Sequence, residues 1–278
     1  MKIVTFVLTV VSTAVVVRAE IFNEAWQAKQ IIPVAAKLID ENYAERLTGL
    51  KKIIGGHKVD VSNFPYQLSL RSYENHICGA SVISIYWALS AAHCVSPQRD
   101  VQTITLRAGA SNRLQGGRVH SVSRIELHPN YNPATFDYDV AVLQVVTPLV
   151  GANVRTVMLA PAGYDPYHGI RSLVTGWGRT LLDNGLPTEL HAVDIPIVSR
   201  STCASYWSTD LITERMLCAG QEGRDSCNGD SGGPLVSGGQ QIGIVSWGST
   251  ECGGPLPAVY THIGHPLVRR FIRMTTGV

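Results

Sequence analysis

Three short segments of the sequence place a histidine, an aspartate and a serine where they could carry nucleophilic chemistry. His93 lies in Ala-Ala-His-Cys, Asp139 precedes Val-Ala-Val-Leu, and Ser231 lies in Gly-Asp-Ser-Gly-Gly-Pro. A serine hydroxyl is a poor nucleophile until a neighbouring imidazole takes its proton. Each segment alone has an ordinary structural interpretation, such as a packed histidine, a turn aspartate or a tight glycine loop. Their order and lengths together make coincidence improbable and indicate one shared site.

The elements that must position these residues are short strands. Tyr66–Leu70 and Ala141–Val145 alternate in polarity, and Ile242–Val245 is a short apolar run. Glycine, proline and asparagine turn signals recur between such segments, which predicts an all-β sandwich or barrel. The sequence predicts one clear helix, at the end of the chain. It begins near Pro266 and carries an apolar stripe at helical spacing, formed by Leu267, Val268, Phe271 and Ile272.

Length and composition limit the classes of protein that the chain can be. The 278 residues suffice for one or two domains with a sizeable core. The 23 basic and 21 acidic residues nearly balance, which argues against a nucleic-acid binder. The six cysteines fit three disulfides in an oxidising compartment, provided that the chain is exported.

The N-terminal residues predict export. Lys2 precedes an apolar run from Ile3 to Val17, and Val17-Arg18-Ala19 places a small residue where signal peptidase could cut. Residues 1–19 are therefore predicted to be a signal peptide. A membrane anchor is disfavoured because fifteen helical residues rise only about 22 Å against a hydrocarbon core of about 30 Å. Residues 20–52 form a second block without cysteine, and the character of the sequence changes at Lys52.

Over residues 53–278 the sequence resembles the chymotrypsin/trypsin family of serine protease zymogens, in particular the digestive trypsin-like enzymes of invertebrates. The resemblance implies that Ser231 is the nucleophile, that His93 is the general base and then the acid, and that Asp139 orients the imidazole. Asp137 is an alternative carboxylate, because on a strand it would share a face with Asp139. The family's aspartate directly precedes a Val-Ala-hydrophobic-Leu run, which favours Asp139.

The resemblance also implies an oxyanion hole and an activation switch. The N–H groups of Gly229 and Ser231 are expected to face the developing charge of the substrate carbonyl. Residues 20–52 are then an activation propeptide, released by cleavage after Lys52, and the new ammonium of Ile53 is expected to pair with Asp230. By resemblance the cysteines pair as Cys78–Cys94, Cys203–Cys218 and Cys227–Cys252, whereas the sequence alone allows fifteen pairings.

The fold implied by the family is all-β, with two antiparallel six-stranded β-barrels and a C-terminal α-helix. We expect the first barrel at about 53–160, the second at about 161–264 and the helix at about 265–275. His93 and Asp139 would come from the first barrel and Ser231 from the second, so that the site lies in the cleft between them.

The resemblance assigns the substrate pocket to two further segments. Asp225 is expected at its base, pairing with arginine or lysine. Ser246, Trp247 and Gly248 are expected to bind substrate backbone and form one wall. Two features depart from the trypsin branch. Ala258 stands where the family usually has glycine, and the 249–252 segment has the chymotrypsin-type length.

These features predict a secreted serine endopeptidase, made as a zymogen, that cleaves protein or peptide substrates after Arg or Lys and serves digestion. The alternatives are chymotrypsin-like, elastase-like or collagenolytic specificity, and an inactive homologue that acts as a binding module. The activator would be a trypsin-like protease or the enzyme itself, and protein inhibitors are further expected partners. We expect a monomer with no cofactor, no metal including structural calcium, and no nucleic-acid or membrane partner.

Overall fold

The computed structural model describes residues 55–96, 100–180 and 185–278. The predicted signal peptide, the predicted activation propeptide, and residues Lys52 and Ile53 lie outside the described residues. Among the residues described, no helix combines the length and apolar character needed to cross a bilayer.

The chain forms two closed β-barrels, as the family resemblance implied. The strands of the first barrel are β2 (Gln67–Ser72), β3 (Asn75–Val82), β4 (Trp87–Ser90), β5 (Ile104–Ala108), β6 (Arg118–Leu127) and β7 (Ala141–Val145). They pair in the order β2-β3-β4-β7-β6-β5, and all of these pairings are antiparallel. The strands predicted near residues 66–70 and 141–145 are thus confirmed as β2 and β7.

The second barrel also has six antiparallel strands. They are β9 (Arg171–Gly176), β10 (His191–Val198), β11 (Met216–Ala219), β12 (Pro234–Ser237), β13 (Gln240–Trp247) and β14 (Ala258–His262). The pairing of β9 with β10 closes the barrel. Two short strands join the same sheet from outside the barrel. β1 (His57–Lys58) pairs with β10, and β8 (Met158–Leu159) runs parallel to β13.

Within residues 55–96, 100–180 and 185–278, two α-helices accompany the barrels. The predicted C-terminal helix is present as α2 (Pro266–Thr276), which buries Val268 and Ile272 against the core, while Leu267 is exposed. The other helix, α1 (Arg200–Trp207), was not predicted from the sequence. Ser199 caps it by accepting a hydrogen bond from the Thr202 amide, and the buried Cys203 and Trp207 fix its inner face.

Buried polar side chains join the two barrels. Ser81 on β3 donates to Gln241 on β13 at 2.6 Å, and Thr175 on β9 donates to Gln67 on β2 at the same distance. All four side chains are nearly inaccessible to water, so each hydrogen bond replaces solvation that folding removes. These bonds connect the barrels beneath the surface that carries the predicted site.

Glycine permits a close approach of the two barrels beside Ser231. Gly232 has a φ of +77°, and a Cβ placed on it would lie 2.2 Å from the Ser90 hydroxyl and 2.6 Å from the Gly79 carbonyl oxygen. Both neighbours belong to the first barrel. Any side chain at residue 232 would therefore separate the segment that carries Ser231 from the segment that leads to His93.

Gly232→Ala is expected to destabilise the protein more than a matched glycine substitution. Gly238→Ala is the control, because Gly238 has a φ of +56° and a Cβ added to it would meet open space. Both variants carry a left-handed backbone cost of about 1–2 kcal/mol, but only Gly232→Ala adds steric overlap, worth about 1–3 kcal/mol more. Chemical unfolding of both variants measures the difference, and equal losses of stability would contradict the packing described.

Candidate active site

His93 is held at the first barrel's edge of the cleft by a short turn and a disulfide. It lies in a 3-10 helix, Ala92–Val95, that directly follows β4. Cys94 is bonded to Cys78 on β3, as predicted, which ties this turn to the barrel wall. The imidazole is 13% exposed, and its Nε2 lies 3.6 Å from the sulfur of Cys94.

Asp139 contacts His93 twice and is completely buried. The His93 Nδ1 donates to Oδ2 of Asp139 at 2.7 Å, and the His93 amide donates to Oδ1 at 2.9 Å. The hydroxyl of Ser246 donates to Oδ2 at 2.5 Å. Burial alone would raise the pKa of Asp139, but the attraction of His93 and these hydrogen bonds outweigh it and hold the pKa below its ordinary value.

An ionised Asp139 fixes the state of the imidazole. A carboxylate only accepts hydrogen bonds, so Nδ1 of His93 carries a proton and Nε2 is left with a lone pair when the ring is neutral. The arrangement therefore presents a base at Nε2, and it stabilises the imidazolium that forms when this atom takes a proton.

The sequence left Asp137 open as the alternative carboxylate, and the structure places it elsewhere. No strand covers residues 137–139, so the two aspartates do not share a face. Asp137 forms a salt bridge with Arg215 at 2.7 Å, whereas Asp139 contacts His93. Asp139 is thus the carboxylate in contact with the imidazole.

Ser231 is carried by the second barrel and is docked directly on the first. Its carbonyl oxygen accepts a hydrogen bond from the Gly79 amide of β3 at 2.7 Å. The next amide, that of Gly232, donates to Val245 on β13. Since Gly232 also packs against Ser90 and Ala91, the half-buried Ser231 lies beside the segment that leads to His93.

The backbone around Ser231 suits an oxyanion site. Gly229 has a φ of +102°, a conformation that L side chains rarely adopt. The amides of Asp230 and Gly233 donate to backbone carbonyls. Within the described part of the chain, the N–H groups of Gly229 and Ser231 donate to no protein atom. Two free donors next to a serine are what a developing oxyanion requires.

A buried histidine that the sequence did not predict supports this loop. His76 on β3 bonds to the Ser69 hydroxyl through Nδ1 at 2.8 Å and to the Gly229 carbonyl oxygen through Nε2 at 3.0 Å. Burial lowers the pKa of His76 to about 4, so the ring is neutral at physiological pH. The neutral His76 ring donates a hydrogen bond from Nε2 to the Gly229 carbonyl oxygen and accepts one from the Ser69 hydroxyl at Nδ1.

Asp225 is a buried carboxylate that lies next to Gly220, in the segment that precedes this loop. Its side chain accepts hydrogen bonds from the amides of Ser226 at 2.8 Å and Gly253 at 3.5 Å. A Cβ on Gly220 would lie 3.3 Å from Oδ1, so glycine leaves room next to the carboxylate. Burial raises the pKa of Asp225 to about 7. Within the described residues, no cation forms a salt bridge with it.

Among the residues predicted to form the substrate pocket, Ala258 lies close to Gly248, and it also lies close to Gly220. A Cβ on Gly248 would lie 3.5 Å from both Cα and Cβ of Ala258, and the Ala258 amide lies 3.6 Å from a Cβ placed on Gly220. The methyl of Ala258 therefore lies beside Gly248, and its backbone amide lies beside Gly220. Trp247, next to Gly248, packs edge-on against Trp207 of α1 with ring centroids 5.2 Å apart, which braces one side.

A buried tyrosine, Tyr260, lies near Asp225. The hydroxyl groups of Ser226 and Tyr260 lie 2.9 Å apart, and both residues are buried. Burial raises the pKa of Tyr260 well above its ordinary value, so its phenol is neutral. Tyr260 thus places a neutral hydroxyl, and no negative charge, near Asp225.

Asp230 is a second buried carboxylate without a cation among the described residues. The amides of Gly178 and Cys227 donate to its two oxygens at 2.8 and 2.9 Å. A Cβ on Gly176 or Gly178 would lie 2.1 Å from the carboxylate, so these glycines form its cradle. Burial raises the pKa of Asp230 to about 6, the direction expected for a carboxylate with no countercharge.

All three predicted disulfides are present. Cys203–Cys218 joins α1 to β11, and Cys227–Cys252 joins the segment before Ser231 to the segment that follows Gly248. Both bonds constrain loops around the pocket, each with an entropic contribution of roughly 3 kcal/mol in the loop-closure description.

Two places bear on metal binding. Cys78, His93 and Cys94 lie close enough to form a ligand cluster, but both sulfurs are joined to each other and offer no thiolate. In residues 107–118, the segment from which structural calcium is expected to be absent, the guanidinium of Arg107 donates to the carbonyl oxygens of Leu114 and Gly116. Two carbonyl oxygens of this segment thus accept hydrogen bonds from a cationic side chain.

Comparison with known proteins agrees with this geometry. The profile of the Trypsin family matches residues 53–267. The trypsin of Phaedon cochleariae is 38% identical over 76% of this chain and 84% of its own length. The trypsin of Simulium vittatum is 38% identical over 82% and 95%, and trypsin alpha-4 of Lucilia cuprina is 37% identical over 81% and 88%. The chain therefore belongs to the trypsin family and is a serine endopeptidase.

Proposed function

We propose that this enzyme is secreted as a zymogen, is activated by cleavage after Lys52, and hydrolyses peptide bonds after arginine or lysine. The observation that carries the specificity is the Asp225 carboxylate, which is buried next to Gly220 and has no cation of its own among the described residues. A carboxylate in that setting binds an extended cationic side chain through charge-assisted hydrogen bonds.

The catalytic steps follow from the residues around the cleft. Ser231 Oγ attacks the scissile carbonyl carbon while His93 Nε2 takes the hydroxyl proton, and Asp139 stabilises the imidazolium. The amides of Gly229 and Ser231 stabilise the oxyanion, a contribution of about 3–4 kcal/mol for each donor. The imidazolium then protonates the leaving amine as the C–N bond breaks. Water, deprotonated by the same imidazole, releases the acyl group from Ser231.

The activation step rests on Asp230. A buried charge without a partner costs about 3–5 kcal/mol, and Asp230 has backbone donors alone among the described residues. The ammonium created at Ile53 would provide the missing cation. The described chain begins at Gly55, which packs against Gly223 and Arg224, two residues of the loop that leads to Asp225.

Secretion and a digestive role complete the proposal. Three disulfides fit an oxidising compartment. The apolar N-terminal run fits a signal peptide. The insect relatives bear the name trypsin. We infer bulk protein as substrate, a monomeric state and control by protein inhibitors.

Two alternatives remain as outcomes of the tests. The Ala258 methyl and the length of the 249–252 segment favour a chymotrypsin-like, elastase-like or collagenolytic preference if they outweigh Asp225. An inactive homologue acting as a binding module is the other alternative. The presence of Ser231, His93 and Asp139 argues against it.

Titration with a phosphonylating reagent tests activation and catalysis together. Treatment with a trypsin-like protease is expected to yield a chain that begins Ile-Ile-Gly-Gly and incorporates about one equivalent of reagent, because the new Ile53 ammonium supplies the cation that the buried Asp230 carboxylate lacks. Ser231→Ala is expected to incorporate none after processing. Lys52→Gln is expected to resist both processing and labelling. A processed wild-type chain that takes up no reagent would establish the inactive homologue.

Ala258→Gly is expected to change the ratio of arginine to lysine cleavage. Removing the methyl reduces steric contact with the wider guanidinium of an arginine substrate more than with the ammonium of a lysine substrate. The rate for arginine substrates should therefore rise relative to lysine by about 10–200-fold, the effect of a methylene-sized change in a pocket. Paired Arg and Lys amide substrates measure kcat/KM. Ala192→Gly, a buried methyl removed from β10, is the control. An unchanged ratio of kcat/KM for arginine and lysine substrates would show that Ala258 does not determine the preference between them.

The affinity of a small amidine for the processed enzyme is expected to depend on pH through Asp225. The pKa of Asp225 is about 7, so the carboxyl is mostly protonated below that pH and must lose a proton to pair with the cation. Affinity should be constant above about pH 7 and fall up to tenfold per unit below it. Calorimetry from about pH 5 to about pH 9 tests this. The dependence should persist in His93→Gln and vanish in Asp225→Asn, and the opposite pattern would assign it to His93.

A further inference from the structure

The loop that delivers Asp139 has an unfavourable backbone. Phe136 and Tyr138 have φ values of 57° and 54°, a left-handed conformation that is rare for bulky side chains. Such residues persist only where their surroundings hold them. Both flank Asp137 and lie within three residues of Asp139. Something outside the loop must therefore fix residues 136–139.

Residues of the second barrel fix this loop by hydrogen bonds to the Asp137 side chain. Arg215 donates to Asp137 from Nη2 at 2.7 Å and from Nε at 3.1 Å, and the Thr213 hydroxyl donates at 2.9 Å. The Asp137 and Arg215 side chains are only 16% and 24% exposed, so solvent screens this pair less than a surface pair. The two parallel bonds of the guanidinium fix direction as well as distance.

The surroundings of the pair limit its movement. The Arg215 guanidinium lies 5.1 Å from the ring centre of Tyr138, which stacks on His128 at 4.3 Å. His128 in turn packs against Phe271 of α2. Glu214 and His265 are the other titratable groups that act on Arg215. The His262 amide donates to the Arg215 carbonyl at 2.8 Å, which fixes the arginine backbone next to β14.

The same part of the second barrel also holds Asp139. The Thr261 hydroxyl donates to the Asp139 carbonyl oxygen at 2.6 Å, and Thr261 pairs with Met216, the residue after Arg215. Arg215 and Thr261 thus anchor two positions of one short loop, two residues apart. The loop of the first barrel is docked on the second at both aspartates.

We propose that Asp137 is a positioning residue for catalysis: through Arg215 and Thr213 it fixes the loop of residues 136–139 so that Asp139 meets His93. The inference rests on the proposed function, because its kinetic consequence requires the Ser231 mechanism. One aspartate orients the imidazole, and the other orients the loop that carries the first. Asp137 touches neither His93 nor any residue of the Asp225 pocket among its hydrogen bonds.

The test uses Asp137→Asn and Arg215→Met in the processed full chain, singly and together. We expect kcat to fall about 10–100-fold, because the Asp139–His93 bond loses its alignment. KM for an arginine substrate should stay within about threefold, since the pocket is unchanged. The double variant should lose no more than the larger single loss, as expected for two members of one interaction. Arg215→Lys, which keeps the charge but loses the two-bond geometry, should recover part of kcat.

A control and a second readout separate positioning from general stability. Glu126→Gln breaks the exposed Arg124–Glu126 pair and should leave kcat unchanged. The proton NMR signal of His93 Nδ1–H should shift or broaden in Asp137→Asn and stay unchanged in Glu126→Gln. This signal reports the bond to Asp139 without requiring turnover. A processed wild-type chain that shows the signal but no activity would contradict the proposed function alone.

Two results would overturn the proposal. One is a kcat for Asp137→Asn within twofold of Glu126→Gln; the other is an unchanged His93 signal despite a lower kcat. If Asp137→Asn does not fold, Thr213→Val removes one of the three bonds and should lower kcat about 2–10-fold with a smaller shift of the same signal. No change of kcat in Thr213→Val would then count against the proposal.

Discussion

The buried carboxylate of Asp139 is the interaction on which the rest of the structure depends. It has no contact with water, and both barrels supply its hydrogen bonds: the amide and ring of His93 from the first, and the Ser246 hydroxyl from the second. A buried charge persists only when it is fully bonded. The docking of the two barrels therefore keeps Asp139 ionised, and the ionised Asp139 in turn keeps the proton of the neutral His93 ring on Nδ1.

Three buried carboxylates have different surroundings, and this difference organises the proposed activity. Asp139 is satisfied within the fold, and its pKa lies below the ordinary value. Asp225 and Asp230 are held mainly by backbone donors, and burial raises their pKa values to about 7 and about 6. In the proposal, a substrate cation completes Asp225 and the new N-terminus completes Asp230. A buried carboxylate without a countercharge would thus bind the substrate at Asp225 and bind the new N-terminus at Asp230.

Local sequence signals predicted much of the fold but only part of the site. Alternating strands such as β7 and the helix α2 follow from periodicity, and the resemblance supplied the barrels and disulfide pairing. Helix α1 was missed because its apolar stripe is weak, although Ser199 is a typical N-cap residue. His76 and Arg215 could not be found, since their partners Gly229 and Asp137 lie 153 and 78 residues away. Asp137 looked like a rival to Asp139 because a strand would place both on one face, but the left-handed Tyr138 between them removes this strand alternation.

The most direct measurement is a crystal structure of the processed chain after phosphonylation. The account predicts phosphorus bonded to Ser231 Oγ, one phosphoryl oxygen within hydrogen-bond distance of the Gly229 and Ser231 amides, and His93 beside the adduct with its bond to Asp139 retained. An adduct on another residue, or a Ser231 adduct whose oxygens reach neither amide while His93 points away, would contradict the central claim that the two barrels assemble one catalytic site.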